Sequence, residues 1–320
     1  MRLRFIVGLA LVWAACGSAS AQTFPTHSIR AIIPFGAGSA SDIIPRIVLD
    51  QLSSRLGEPV IVENRAGAGG TIGAAAVVKS EPDGYTLLVN SSAHTIAPAL
   101  YPNLSYDVRR DFVAIGAIGS VPNVLVMSPA RGIKTIQDFV AAAKAKPGSF
   151  TFATLGVGSA VFMSAERFRV AAGYEAVHVP FKGGPEALSE VIAGRVDYYF
   201  CPVATALPFI RDGRLVALAV SSPTRTAALP DVPTTLEAGY RDSDYTFWMG
   251  MFAPAKTPKD IVEKLSRELA AAVQAPAARE KLGALGVEPM PMTPAEFDAY
   301  VTAELGRYAS FAKTAGLKPN

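Results

Sequence analysis

Ile29-Arg30-Ala31-Ile32-Ile33-Pro34-Phe35-Gly36-Ala37-Gly38-Ser39-Ala40-Ser41-Asp42 decides how this chain is read. An apolar, strand-like run passes into a glycine-rich loop. A helical pattern follows over 42–56, with Ile44, Ile47, Val48, Leu52 and Leu56 on one face and Gly57 as its stop. Pro45 requires that helix to begin a few residues before 42. The same order returns at Phe150-Thr151-Phe152-Ala153-Thr154-Leu155-Gly156-Val157-Gly158-Ser159-Ala160, ahead of a helix expected over 160–172. A strand–glycine loop–helix junction leaves unpaired backbone N–H groups at the positive end of a helix, a ready anion site. Two such junctions suggest two lobes gripping one anion.

Strand-like and helix-like runs alternate around them. Residues 59–63 and 85–90 read as strands, the second ending in the polar loop Ser91-Ser92-Ala93-His94-Thr95, and 67–70 opens a small-residue helix. This βαβαβ order implies a mostly parallel sheet covered on both faces. Residues 121–127 break the rhythm as an extended crossing, and Thr135-Ile136-Gln137-Asp138 is a capping box for a helix over 135–146. Strands then follow at 150–153, 176–180, 196–200 and 216–221, with helices at 160–172 and 186–193. A second long extended run covers 245–253, and late helices cover 258–273, 277–285 and 294–315, the last opened by Thr293 with Glu296. The expected fold class is α/β in two lobes. Lobe 1 takes residues 22–124, lobe 2 takes 125–245, and 246–320 returns to lobe 1 with the C-terminal helices.

Met1-Arg2-Leu3-Arg4, an apolar core over 5–15 and Ala19-Ser20-Ala21 form a secretory signal peptide pattern, with cleavage expected after Ala21. The apolar core is too short to span a bilayer. Cys16 raises a lipoprotein reading, against which stands Trp13 where a small aliphatic residue is usual. With the signal removed only Cys201 remains, so no internal disulfide is available. Removing 21 residues from 320 leaves about 300, enough for a large core and two domains. Half the residues are apolar and 18% are charged, which excludes a disordered chain. A net charge of +3 spread over scattered Lys and Arg gives no support to nucleic-acid or membrane-surface binding.

Gly67-Ala68-Gly69-Gly70-Thr71-Ile72-Gly73 has glycines like a dinucleotide fingerprint, but the strand after it ends Asn90-Ser91-Ser92 with no acid for a ribose. Tight backbone packing explains it better. Neither glycine loop carries a Walker lysine, because Ser39 follows Gly38 and Ser159 follows Gly158. His27, His94 and His178 stand at no metal-ligand spacing, so neither metal nor cofactor is expected. Ser39, His94 and Asp42 make a hydrolytic triad only on paper, since Gly36-Ala37-Gly38-Ser39-Ala40 is not a nucleophile elbow. Asp42 reads as a helix cap, His178 as a satisfied core residue, and Cys201 as a small buried side chain. His94 is open between ligand contact and surface. What remains is holding: two N–H donors per loop on one carboxylate gross about 6–12 kcal/mol, against about 8 kcal/mol net for micromolar affinity.

The run 32–42 resembles the first binding loop of the Bug-type receptors of tripartite tricarboxylate transporters. Val62-Glu63-Asn64-Arg65-Ala66-Gly67-Ala68-Gly69-Gly70, Pro82-Asp83-Gly84-Tyr85-Thr86-Leu87-Leu88, Val177-His178-Val179-Pro180-Phe181-Lys182-Gly183, Ala228-Leu229-Pro230-Asp231-Val232-Pro233-Thr234 and Phe247-Trp248-Met249-Gly250-Met251-Phe252-Ala253-Pro254 are similar to that family in the same order. The resemblance covers essentially the whole mature chain. It implies a periplasmic-binding-protein-like, type II flytrap fold and a non-enzymatic periplasmic receptor for a small carboxylate, either a di- or tricarboxylate or an aromatic acid. The partners implied are the large and small membrane subunits of a permease.

Carried over, the binding loops are Phe35, Gly36, Ala37, Gly38, Ser39, Ala40, Ser41 and Asp42 in one lobe and 154–160 in the other, with Thr154, Gly156, Val157, Gly158 and Ser159 as the contacts of the second. Ser91, Ser92, His94 and Cys201 shape the far end. Ser39 replaces the usual second glycine of the first loop, and Cys201-Pro202 stands where many relatives carry an acid, which weakens an amino-acid ligand. Phe35, Phe162 and Trp248 are open between an apolar wall and core. A monomer is expected. An input protein for a membrane signalling partner and a periplasmic hydrolase are the alternatives.

Overall fold

The computed structural model describes residues 24–317, and the expected signal peptide, its cleavage after Ala21 and Cys16 lie outside the described residues. In chain order come β1 (Ile29–Ile33), α1 (Ala40–Leu56), β2 (Val60–Asn64), α2 (Thr71–Val78), β3 (Thr86–Ser91), α3 (Ala93–Leu100), the short α4 (Val108–Asp111) and β4 (Phe112–Val121). A second series follows: β5 (Asn123–Met127), α5 (Ile136–Ala145), β6 (Phe150–Thr154), α6 (Ala160–Ala172), β7 (Ala176–Pro180), α7 (Gly184–Ile192), β8 (Tyr198–Pro202), α8 (Val203–Arg211) and β9 (Val216–Val220). β10 (Phe247–Pro254), α9 (Lys259–Gln274), α10 (Pro276–Ala284) and α11 (Pro294–Thr314) close it.

These strands form two five-stranded sheets with one repeated pattern, β2-β1-β3-β10-β4 and β7-β6-β8-β5-β9. Three parallel strands in each come from consecutive strand–helix units. The fourth place holds an antiparallel strand that arrives from the other sheet: β10 between β3 and β4, and β5 between β8 and β9. The chain leaves the first sheet at Pro122, the one residue between β4 and β5. It returns over 221–246, where the Tyr245 N–H donates to the Ser221 carbonyl.

β3, β5, β8 and β10 are buried at every residue, as strands covered on both faces must be. β2 and β7 lie at the edges and are only half-buried. Alternate side chains of β1, β3 and β10 face opposite ways. Ile33, Val89 and Met251 join the main core with α1, while Ile32, Leu88, Trp248 and Phe252 join a second cluster closed by Phe297 and Val301 of α11. Trp248 is wholly buried there, edge-on to Phe297 at 5.4 Å, so it is core and no part of a ligand wall. A capping box between Thr293 and Glu296 opens α11. α1 begins at Ala40, ahead of 42 as Pro45 required, and Pro45 falls in its second turn.

Both glycine loops stand at the carboxyl ends of parallel strands whose neighbours continue in opposite directions. β1 lies between β2 and β3, and β6 lies between β7 and β8. Such a switch point opens a crevice outside the strand ends, where α/β sheets bind ligands.

Candidate functional site

Residues 34–39 and 155–159 fold into the same turn. Ser39 and Ser159 precede α1 and α6 with matching dihedrals, φ −73° and ψ 160° against φ −71° and ψ 155°. Each serine donates its N–H and its hydroxyl to the carbonyl of the glycine three residues back. The distances are 3.3 and 2.8 Å to Gly36, and 3.2 and 2.7 Å to Gly156. Gly38 and Gly158 hold φ +77° and +81°, which glycine adopts with no Cβ penalty.

The loops differ in how they are braced. The Ser159 hydroxyl accepts from the Phe162 N–H at 3.3 Å. In the first loop Asp42 reaches back instead: Oδ2 accepts from the Gly38 N–H at 2.9 Å, and Oδ1 accepts from Arg46 Nε and Asn64 Nδ2, both at 2.8 Å. Asp42 is 3% exposed with both oxygens engaged, so it fixes the loop and is not a ligand contact.

The glycine amides are not the free donors either. The Gly38 N–H is taken by Asp42, and the Gly156 N–H donates to Thr154 Oγ1 at 3.1 Å. Among the described residues, the first two amides of each helix make no hydrogen bond: Ala40 and Ser41 of α1, Ala160 and Val161 of α6. All four residues line one chamber, which in this conformation has free space of about 20 Å³, room for about one water. Phe35, Leu155, Ser39 and Ser159 complete its near wall. Ser91, Tyr199, Pro202 and Phe247 enter from the ends of β3, β8 and β10, with Thr205 and Gly184 beside them. No charged side chain lines it. Two helix N-termini therefore set a positive field in a space walled by low-polarity groups, where charge–dipole attraction is screened least.

An outer cleft of about 550 Å³ adjoins the chamber across Phe35 and Leu155 and runs past residues 66–70, Tyr101, Gly156, Val157, His178 and Lys182. The lobes touch across this cleft. Tyr101 Oη donates to the Val157 carbonyl at 2.7 Å. A Cβ on Gly69 would collide with that same carbonyl oxygen, and one on Gly36 would stand 2.9 Å from the Lys182 carbonyl oxygen. The glycines of 67–70 thus serve close backbone approach, with Gly69 and Gly70 at φ +61° and +98°. The molecule is a closed clamp.

Other expected contacts fall outside the chamber. Ala37 is exposed, Gly38 props the loop, and Gly158 packs on the Tyr101 ring. Gly156 and Val157 face the outer cleft. Ser92 Oγ meets Tyr245 Oη at 2.5 Å, and Thr154 Oγ1 bonds His178 Nε2. Cys201 lies inside β8, not after it. It is 1% exposed with Sγ 3.0 Å from Thr205 Oγ1, and burial pushes its thiol pKa up to about 12, so it is an inert core side chain.

The two histidines exchange their expected places. His94 opens α3 in the core, 4.8 Å from the Phe112 ring and 4.5 Å from Phe252, and burial lowers its pKa to about 3. His178 is half-buried on edge strand β7 and lines the outer cleft; burial lowers its pKa, opposed by the charge of Glu166. Phe162 is 7% exposed and edge-on to His178 at 5.1 Å, so only Phe35 of the three aromatic residues lines the chamber. Sequence reasoning missed Tyr199, Thr205 and Phe247, which reach the chamber through sheet order. Leu155 lies inside the second loop as carried over, 154–160, and Val161 was within reach as its neighbour.

The pattern of the tripartite tricarboxylate transporter family receptor matches residues 44–317. Protein BugT of Bordetella pertussis is 35% identical over 320 residues, covering 99% of this chain and 98% of that protein. The structure of Rpa4515 from R. palustris with adipate superposes with a TM-score of 0.88 at 30% identity, covering 93% of this chain and all of that one. MatC from Rhodopseudomonas palustris with bound malate gives 0.86 at 30% identity, covering 90% and 99%. These similarities carry with them the two-lobed, type II periplasmic-binding-protein fold.

Proposed function

Because the chain belongs to the tripartite tricarboxylate transporter receptors, a family of periplasmic solute-binding proteins and not of enzymes, we propose that it captures a small carboxylate between the N-termini of α1 and α6. The observation that carries this reading is the set of four free amides, Ala40, Ser41, Ala160 and Val161, around one uncharged chamber. Each charge-assisted N–H···O⁻ bond contributes about 1.5–3 kcal/mol, so two lobes together hold an anion that one lobe alone releases. Phe35 and Leu155 supply the apolar flank. The malate and adipate bound by relatives support a small carboxylate.

The same reading divides the mature chain, after cleavage at Ala21, into lobe 1 (residues 22–124 and 246–320) and lobe 2 (125–245), closing on the ligand and presenting it to the large and small permease subunits. The separate sheet membership of β1–β4 with β10 and of β5–β9 supports two such lobes, with the first crossing at Pro122, two residues before 124. Titration calorimetry of the purified mature protein against aliphatic mono-, di- and tricarboxylates and aromatic acids is the test. Saturable binding of at least one acid at micromolar affinity is expected, and silence across the panel would overturn the reading.

A further inference from the structure

The chamber wall away from the helix N-termini carries a hydroxyl that the protein itself leaves unused. Tyr199, on β8, is 1% exposed and lines the chamber, and among the described residues its phenol makes no hydrogen bond. Of the other hydroxyls around the chamber, Thr205 donates to the Pro202 carbonyl, Ser39 and Ser159 donate to Gly36 and Gly156, and Ser91 accepts from the Ala93 N–H, while Ser41 stands beside the free amides of α1. Burial raises the phenol pKa well above its ordinary value, so it stays a neutral O–H that can both donate and accept. Its oxygen is not one of the fully sealed unpaired atoms and the residue lines the chamber, so a ligand oxygen can reach it and supply the partner that such hydroxyls almost always find.

The four helix amides provide for one carboxylate. With no cationic side chain on the walls, a second charge placed against Tyr199 would find only neutral partners, whereas a neutral oxygen would find a matched one. We propose that Tyr199 is a specificity-determining residue that hydrogen-bonds a hydroxyl or oxo oxygen on the ligand, so that the preferred ligands are hydroxy- or oxo-carboxylic acids. This rests on the carboxylate reading above. It also explains selection: a site built around a substrate hydroxyl rejects the analogue lacking it, because the buried group is then left unpaired.

The test compares pairs of acids differing by one hydroxyl, malate against succinate and 3-hydroxybutyrate against butyrate, by calorimetry on the wild type and on Tyr199→Phe. The wild type is expected to bind the hydroxy acid of at least one pair about tenfold or more tighter. Tyr199→Phe is expected to bring that ratio within about twofold, without weakening the deoxy acid. Removing an unpaired hydroxyl should leave the ligand-free melting temperature unchanged or higher, which separates this role from a structural one. A wild type without preference in either pair, or a preference that survives Tyr199→Phe, overturns the proposal. A wild type that binds none of the four acids nor any other carboxylate overturns the receptor reading beneath it.

Discussion

Ala40→Pro and Ala160→Pro remove one ligand donor each while sparing the fold. Both alanines are the first residue of their helix, the position where an amide has no intrahelical partner and proline is well accommodated. The preceding serines have ψ of 160° and 155°, the extended conformation that a residue before proline prefers. Among the described residues neither amide serves a hydrogen bond, so neither helix loses one. Each substitution therefore deletes one of the four donors facing the chamber, and the proline Cδ takes the place of the amide hydrogen. At about 1.5–3 kcal/mol per charge-assisted bond, Kd should rise roughly 10- to 150-fold for either variant. The double variant should fall short of the product, since the donors share one carboxylate. Calorimetry with the tightest-binding acid measures Kd, and thermal unfolding of the ligand-free protein should stay within about 2 °C of wild type. A folded variant whose Kd stays within about twofold of wild type would refute the twin-helix clamp, whichever lobe it came from.

Two further outcomes follow from the geometry. Gly69→Ala places a Cβ against the Val157 carbonyl only when the lobes meet, so overpacking of about 1–3 kcal/mol should weaken ligand binding roughly 5- to 150-fold. Small-angle scattering should then show the variant staying more open at ligand concentrations that close the wild type, and equal closure would count against this contact. His94 has a folded pKa of about 3 against 6.5 unfolded, so between those values only the unfolded chain binds the proton. Stability from this group is therefore full above pH 6.5 and falls with decreasing pH by about 1.4 kcal/mol per unit. Urea unfolding at pH 7 and 5.5 should show that loss in the wild type and a shallower one in His94→Leu; equal slopes would remove His94 as the cause.

The strongest signals in the sequence were local ones. The helix over 160–172 and the strand over 176–180 fall where their apolar spacing and flanking glycines placed them, and Thr293 with Glu296 marks α11 as a capping box should. Wherever long-range order decides, the sequence was mute. β4 drew no expectation because Gly116 and Gly119 interrupt it, and only its pairing with β10 makes it a strand. Ser91-Ser92-Ala93-His94-Thr95 reads as a polar loop, yet these groups are internally satisfied or sealed: Ser92 by Tyr245, Thr95 by the Ser92 carbonyl, His94 between two phenylalanines. His178 sits in an apolar run and reads as core, but β7 is an edge strand, which no local pattern reveals. The candidate site was half legible for the same reason. The loops announce themselves through glycine, whereas Tyr199 and Phe247 reach the chamber only because β8 and β10 lie where they do.

The exchange of interior strands also bears on when the molecule can fold. β10 lies between β3 and β4, so β4 has no partner in the first sheet until residues 247–254 are present. A chain made N-terminus first cannot complete its leading sheet until that late strand emerges. Completing that sheet joins segments far apart in sequence, a topology that folds slowly. The strand order thus delays completion of the first sheet until most of the polypeptide is available.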